Sequence, residues 1–174
     1  HLALFHQDNG TYFKALQFYM ERSEERRLHE FLQGGYLAWK LQELGITHLH
    51  AHFANVPTAT AEIAQAFTGL SYSITAHAKD IYLSDKGALD RRIAKAEFVL
   101  TCTDFNRRYL EQISTSRTPL HLAYHGLDVN RFSPVPRTQQ SEIPLILSVG
   151  RFCEKKGFPY LLKACHTLKQ VGLS

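Results

Sequence analysis

Leu145-Ile146-Leu147-Ser148-Val149-Gly150-Arg151, followed by Phe152-Cys153-Glu154-Lys155-Lys156-Gly157, is the stretch on which the fold turns. Its apolar run reads as a buried parallel strand that stops at a glycine followed at once by Arg151. Past Gly157 the period becomes helical, with Phe158, Leu161, Leu162, Ala164, Cys165 and Leu168 on one face. The reading is strand, tight loop, helix, with Arg151 and Lys156 where the loop meets the helix start. Unpaired N–H groups and the positive dipole end of the first turn favour an anion there, and the two cations add to it. A diphosphate fits, which points to nucleotide-linked chemistry. Neither Gly-x-Gly-x-x-Gly nor a Walker pattern is present. The competing reading makes Arg151, Lys155 and Lys156 solvated charges at a helix start.

Working outward, the 174 residues carry 20 basic and 16 acidic side chains, a net charge of +4, and 44% hydrophobic residues. That content supports a packed core. The basic excess is spread along the chain, which argues against a nucleic-acid surface. No apolar run approaches the roughly 18 residues of a membrane span. Cys102, Cys153 and Cys165 are odd in number and lack Cys-x-x-Cys spacing. They read as small apolar fillers in a reducing compartment.

Residues 11–44 are mainly helical in pattern, with Leu28, Leu32, Gly35 and Trp39 on one face and a mixed-charge run from Glu21 to Arg27. After Gly45 strands and helices alternate: strands at 46–52, 71–76, 97–102 and 120–124, helices at 57–68, 87–95 and 104–113. Pro57 suits a first helical turn, Gly69 a helix end and Thr103 an N-cap. This rhythm predicts an α/β fold, a Rossmann-like parallel sheet with helices on both faces. Residues 125–142, with two prolines and a polar run, read as a linker. The expected organisation is a partial first domain over 1–124, the linker over 125–142, and the first βα unit of a second Rossmann-like domain over 143–174. The first domain is expected to lack its opening strands and the second most of its length. The chain alone is therefore expected to be catalytically silent and to be cut first by proteases around Pro134 to Ser141.

Four segments together resemble glycosyltransferase family 4 enzymes of the two-domain GT-B architecture. They are His50-Ala51-His52-Phe53; Ser73-Ile74-Thr75-Ala76-His77-Ala78-Lys79-Asp80-Ile81-Tyr82; His125-Gly126-Leu127-Asp128 with Arg131-Phe132-Ser133-Pro134; and Val149-Gly150-Arg151 with Glu154-Lys155-Lys156-Gly157. The nearest likeness is to bacterial exopolysaccharide or colanic-acid-type transferases. The resemblance implies transfer of a sugar, with retention, from a nucleotide-sugar donor to a saccharide or lipid-linked acceptor. It implies no cofactor, no metal and a cytoplasmic location, with attachment to the inner face of the membrane as an option. Carried over by position, Arg151 and Lys156 hold the donor diphosphate and neutralise the leaving group. Gly150 and Gly157 let the backbone approach it. His77, at a strand end, faces the donor sugar, and His52, Asp80 and His125 are candidate substrate contacts. The family's glycine-rich loop and its two-glutamate motif are not found in this sequence.

Each residue has a plainer reading beside this one. His77 could be a satisfied structural histidine, although the C-terminal end of a parallel strand is where ligands bind in open α/β sheets. Asp80 could equally cap a short helix. His48, His50 and His52 alternate on one strand face, which suggests a metal-dependent hydrolase. No later carboxylate cluster completes such a site, and no Asp-x-Asp occurs. A non-catalytic phosphate- or sugar-binding module is the remaining alternative.

Overall fold

The computed structural model describes residues 1–22, 28–133 and 145–172. Most of the charged run and the proline-rich heart of the expected linker lie outside them. The chain divides into two compact units, residues 1–126 and 127–174.

In the first unit, helices α1 (Leu2–Gln7), α2 (Asn9–Glu21) and α3 (Leu28–Glu43) precede three βα-type repeats and a fourth strand. These run β1 (His48–His52), α4 (Val56–Thr68), β2 (Ser71–Ala76), α5 (Lys79–Tyr82), α6 (Lys86–Lys95), β3 (Val99–Thr101), α7 (Asp104–Ile113) and β4 (Leu120–Leu122). The caps explain the boundaries. Pro57 sits in the first turn of α4, and Gly69 ends it with φ 73°, a left-handed conformation that costs a glycine nothing. Asp85 and Thr103 accept hydrogen bonds from the N–H groups of Ala88 and Asn106, starting α6 and α7.

The strands are parallel and lie side by side in chain order, β1-β2-β3-β4. The sheet is thus the expected α/β, Rossmann-like one, but its core lies on one face. Right-handed crossovers between strands in consecutive order bring every crossover helix to the same side. Ala51, Tyr72, Ile74 and Val99 accordingly share a core with Ala61, Ile81, Leu89, Ile93 and Leu110 from α4 to α7. The other face of the sheet carries His48, His50, His52, Ser71, Ser73, Thr75 and His121, and the last three histidines of that set (His50, His52, His121) are exposed. Helices on both faces were expected; the first unit places α4 to α7 on one.

Helix α3 buries only part of the face that holds Leu28, Leu32, Gly35 and Trp39. Leu28, Leu32 and Trp39 are exposed, and the buried face is Phe31, Gly34, Gly35, Ala38 and Leu41. The reason is close approach to α4. A Cβ on Gly34 would come within 2.5 Å of the Ile63 side chain, so the glycine side of α3 makes the contact. Glu62 of α4 is buried beside it and is held by Arg91 at 3.0 Å and Arg92 at 3.4 Å. Arg92 also donates to the carbonyl of Ala54, which ties α6 to the loop after β1.

In the second unit, 3₁₀ turns at Val129–Arg131 and Glu154–Lys156 precede α8 (Phe158–Gln170). The expected strand at 145–149 forms no strand and has no ladder partner among the described residues, and Leu145, Leu147 and Val149 are exposed. A strand exists only as part of a ladder, and one apolar segment cannot supply its own.

Candidate functional site

Side chains alternate along a strand, and register fixes which ones meet at the sheet's end. His52 closes β1 opposite Thr75, and His77 lies two residues further along the same face. Ala76 pairs with Thr101, which sets the following residues, His77 and Cys102, side by side. Beyond β4, His125 reaches the same end. The C-terminal edge of the sheet therefore gathers His52, His77, Cys102 and His125 from four successive strands. His77 Nε2 lies 2.8 Å from His52 Nε2, and the His77 ring stacks on that of His125 with centroids 5.7 Å apart. One ligating atom from each of His77, Cys102 and His125 falls within 4.8 Å of the others.

The loops bearing this cluster are pinned by Asp80, whose buried carboxylate accepts main-chain hydrogen bonds from Ala54 (2.9 Å), His77 (3.1 Å) and Ala78 (2.9 Å). Asp80 was an expected substrate contact. The structure gives it another place: its oxygens face backbone donors, and it joins the loop after β1 to the loop after β2. The carbonyl of His77 accepts from the Asn106 side-chain amide, whose oxygen in turn accepts from the Tyr82 hydroxyl. His77 is thus fixed on both sides of its Cα by buried groups, while its ring stays accessible. Nothing in the local sequence signalled Asn106, which acts from a helix almost thirty residues on.

Phe53 next to the cluster has φ 82°, the one non-glycine residue with positive φ among those described. Its N–H donates to the Thr75 carbonyl at 2.8 Å and its own carbonyl accepts from the Thr58 hydroxyl at 2.8 Å. Two such bonds hold an aromatic residue in a conformation that normally selects glycine, and its ring packs at 4.9 Å from that of His77.

Burial lowers the pKa of His77 below the ordinary histidine value, helped by His52 and His125 and opposed by Asp80. The ring is therefore neutral near pH 7, able to accept a proton or a metal ion. His48 and His50 have a different occupation. His48 bonds Ser71 and Ser73 at 2.8 and 2.9 Å, and His50 bonds Ser73 and Thr75, both at 2.7 Å. Both nitrogens of each ring are engaged by hydroxyls of β2, which leaves the alternating histidines as a strand-to-strand ladder.

In the second unit Gly157 has φ 69°, and it separates the turn bearing Lys156 from α8. Only glycine takes that conformation without strain. Gly150 is different. A Cβ there would meet the Lys156 stem at 3.6 Å and the Phe158 ring at 3.5 Å, ordinary contact distances. The Lys156 side chain thus lies alongside Gly150, and Arg151 and Lys156 are both exposed on this loop. Lys156 lies in the turn that leads into the thirteen-residue helix α8, and Arg151 lies five residues before that lysine.

No protein-family model matches the chain. Over 144 residues, 83% of its length, it is 28% identical to an Escherichia coli (strain K12) protein named as a colanic acid biosynthesis glycosyltransferase, WcaL. The chain spans 32% of that protein's length. No helix among the described residues is long and apolar enough to cross a membrane.

Proposed function

We propose that this chain is part of a retaining glycosyltransferase of the GT-B type, acting in polysaccharide biosynthesis. It moves a sugar from a nucleotide-sugar donor to a saccharide or lipid-linked acceptor. The observation that carries the reading is the 144-residue similarity to a named polysaccharide glycosyltransferase. The accessible, neutral His77 ring on a rigid loop at the strand ends is consistent with it.

In this reading the second unit receives the donor diphosphate. Arg151 grips phosphate oxygens through its planar fork, Lys156 supplies a mobile point charge, and Gly157 sets the turn between loop and helix. Charge builds on the diphosphate as the sugar–phosphate bond breaks, so the two cations stabilise the transition state more than the ground state. His77 faces the donor sugar, with its orientation held by Asp80 and Asn106. His52 flanks it on the acceptor side, and His125 is a further substrate contact. The chemistry needs no cofactor, and the work is done in the cytoplasm, at the inner membrane face when the acceptor is lipid-linked.

Calorimetric titration of the chain with a nucleoside diphosphate tests the diphosphate assignment. Binding that is competed by pyrophosphate and weakened about tenfold or more in Arg151→Ala and Lys156→Ala is the expected result. Binding unaffected by both substitutions removes the assignment.

A further inference from the structure

We infer that His77, Cys102 and His125 form a site for a thiophilic divalent cation, of which Zn²⁺ is the representative. Each ligand comes from the end of a different parallel strand. One nitrogen or sulfur from each lies within 4.8 Å of the other two. Tetrahedral zinc places neighbouring ligand atoms about 3.5 Å apart, so rotations that move each atom by about 1 Å close the set. Cys102 and His77 are half-buried and His125 is exposed, so the open side faces the solvent beyond the strand ends.

The donor set selects the ion. One thiol and two imidazoles favour Zn²⁺, Co²⁺ or Cu over Mg²⁺ and Mn²⁺, which prefer oxygen. On binding, the Cys102 thiol gives its proton to solvent and the thiolate coordinates, while each imidazole offers one lone-pair nitrogen. Second contacts are in place. His52 lies 2.8 Å from His77 Nε2, and the Asp80 and Asn106 bonds fix the His77 backbone. Such contacts orient ligands and raise affinity. Three protein ligands leave a fourth position for water or an anion, the pattern of an open rather than a structural zinc site.

The binding stands on this geometry alone. Its consequence rests on the transferase reading: an ion here takes the ring that faces the donor sugar, so Zn²⁺ inhibits transfer, and it is a regulator rather than a cofactor.

The test is titration of the chelator-stripped, reduced chain with Co²⁺ as probe, followed by displacement with Zn²⁺. The expected result is one equivalent bound, with a near-ultraviolet thiolate-to-cobalt absorption. That band is lost in Cys102→Ser, and affinity falls about tenfold or more in His125→Ala, whose exposed position spares the fold. The band survives in His50→Ala and in a Cys153→Ser/Cys165→Ser variant. Absence of the band in the unaltered chain, or its persistence in Cys102→Ser, overturns the site. Diphosphate binding to the second unit is measured separately, so loss of the metal site leaves the transferase reading standing, and the converse also holds.

Discussion

The two imidazoles of His52 and His77 meet Nε2 to Nε2 at 2.8 Å. At that separation a single proton sits between two nitrogens, so one ring donates and the other accepts. Adding a proton to the accepting ring removes the bond and sets two donors against each other.

The first prediction follows from this pair and from the ladder beneath it. Burial and neighbouring histidines hold His77 and His50 below the ordinary pKa of 6.5. The unfolded chain then binds protons before the folded one. Stability from these groups is complete above about pH 6.5 and is lost as pH falls through the depressed folded values. Thermal unfolding followed from about pH 7.5 to 5.5 is expected to show a falling Tm. The fall should be shallower in His50→Gln. An identical slope in the variant contradicts the assignment.

Asp80 carries the second prediction. Its removal in Asp80→Ala leaves the N–H groups of Ala54, His77 and Ala78 without their acceptor in a buried place. The expected loss is about 3 kcal/mol or more in urea unfolding, and about half of that in Asp80→Asn, which retains one acceptor oxygen. A loss below about 1 kcal/mol would show that the loops are held by other means.

Phe53 separates backbone strain from side-chain packing. Both Phe53→Ala and Phe53→Gly lose the ring contact with His77, but only glycine relieves φ 82°. Phe53→Gly is expected to be more stable than Phe53→Ala by about 1 kcal/mol, the reverse of the order these residues show in ordinary backbone. Equal stabilities in denaturant melts would show an unstrained loop.

Glu62 tests the buried charges. Glu62→Ala removes a buried carboxylate that lies 3.0 Å from Arg91 and 3.4 Å from the buried Arg92. Removing one partner of a buried pair costs about 3 kcal/mol or more. Glu62→Gln should recover part of that by accepting from either guanidinium. Chemical denaturation of both variants measures the difference.

The alternation of strand and helix from β1 to β4 was legible because β1, β2 and β4 alternate apolar with polar side chains and because α4 and α7 carry clear start or stop residues, Pro57, Gly69 and Thr103. What period alone could not place was the burial of α3. Leu32 and Trp39 look like core residues, but helix approach is decided by which side is small enough, and Gly34 against Ile63 settled it. The run at 145–149 is apolar in the right way, yet a strand depends on neighbours that local sequence does not contain. At the strand ends, His77 was readable from its position after β2, and the Asp80 carboxylate from its place in the same loop, although its partners were not. Cys102 was read as a filler. Its place beside His77 comes from the pairing of Ala76 with Thr101, and register between separate strands leaves no mark within either one.

The order β1-β2-β3-β4 also has a consequence in time. Each of β2, β3 and β4 finds a hydrogen-bonding neighbour in the strand synthesised just before it. Each new βα repeat can zip onto an edge that already exists, so the entropy of loop closure is met in small instalments. A chain emerging from the ribosome can therefore build this sheet in the order it is read, keeping little apolar strand edge exposed while it waits.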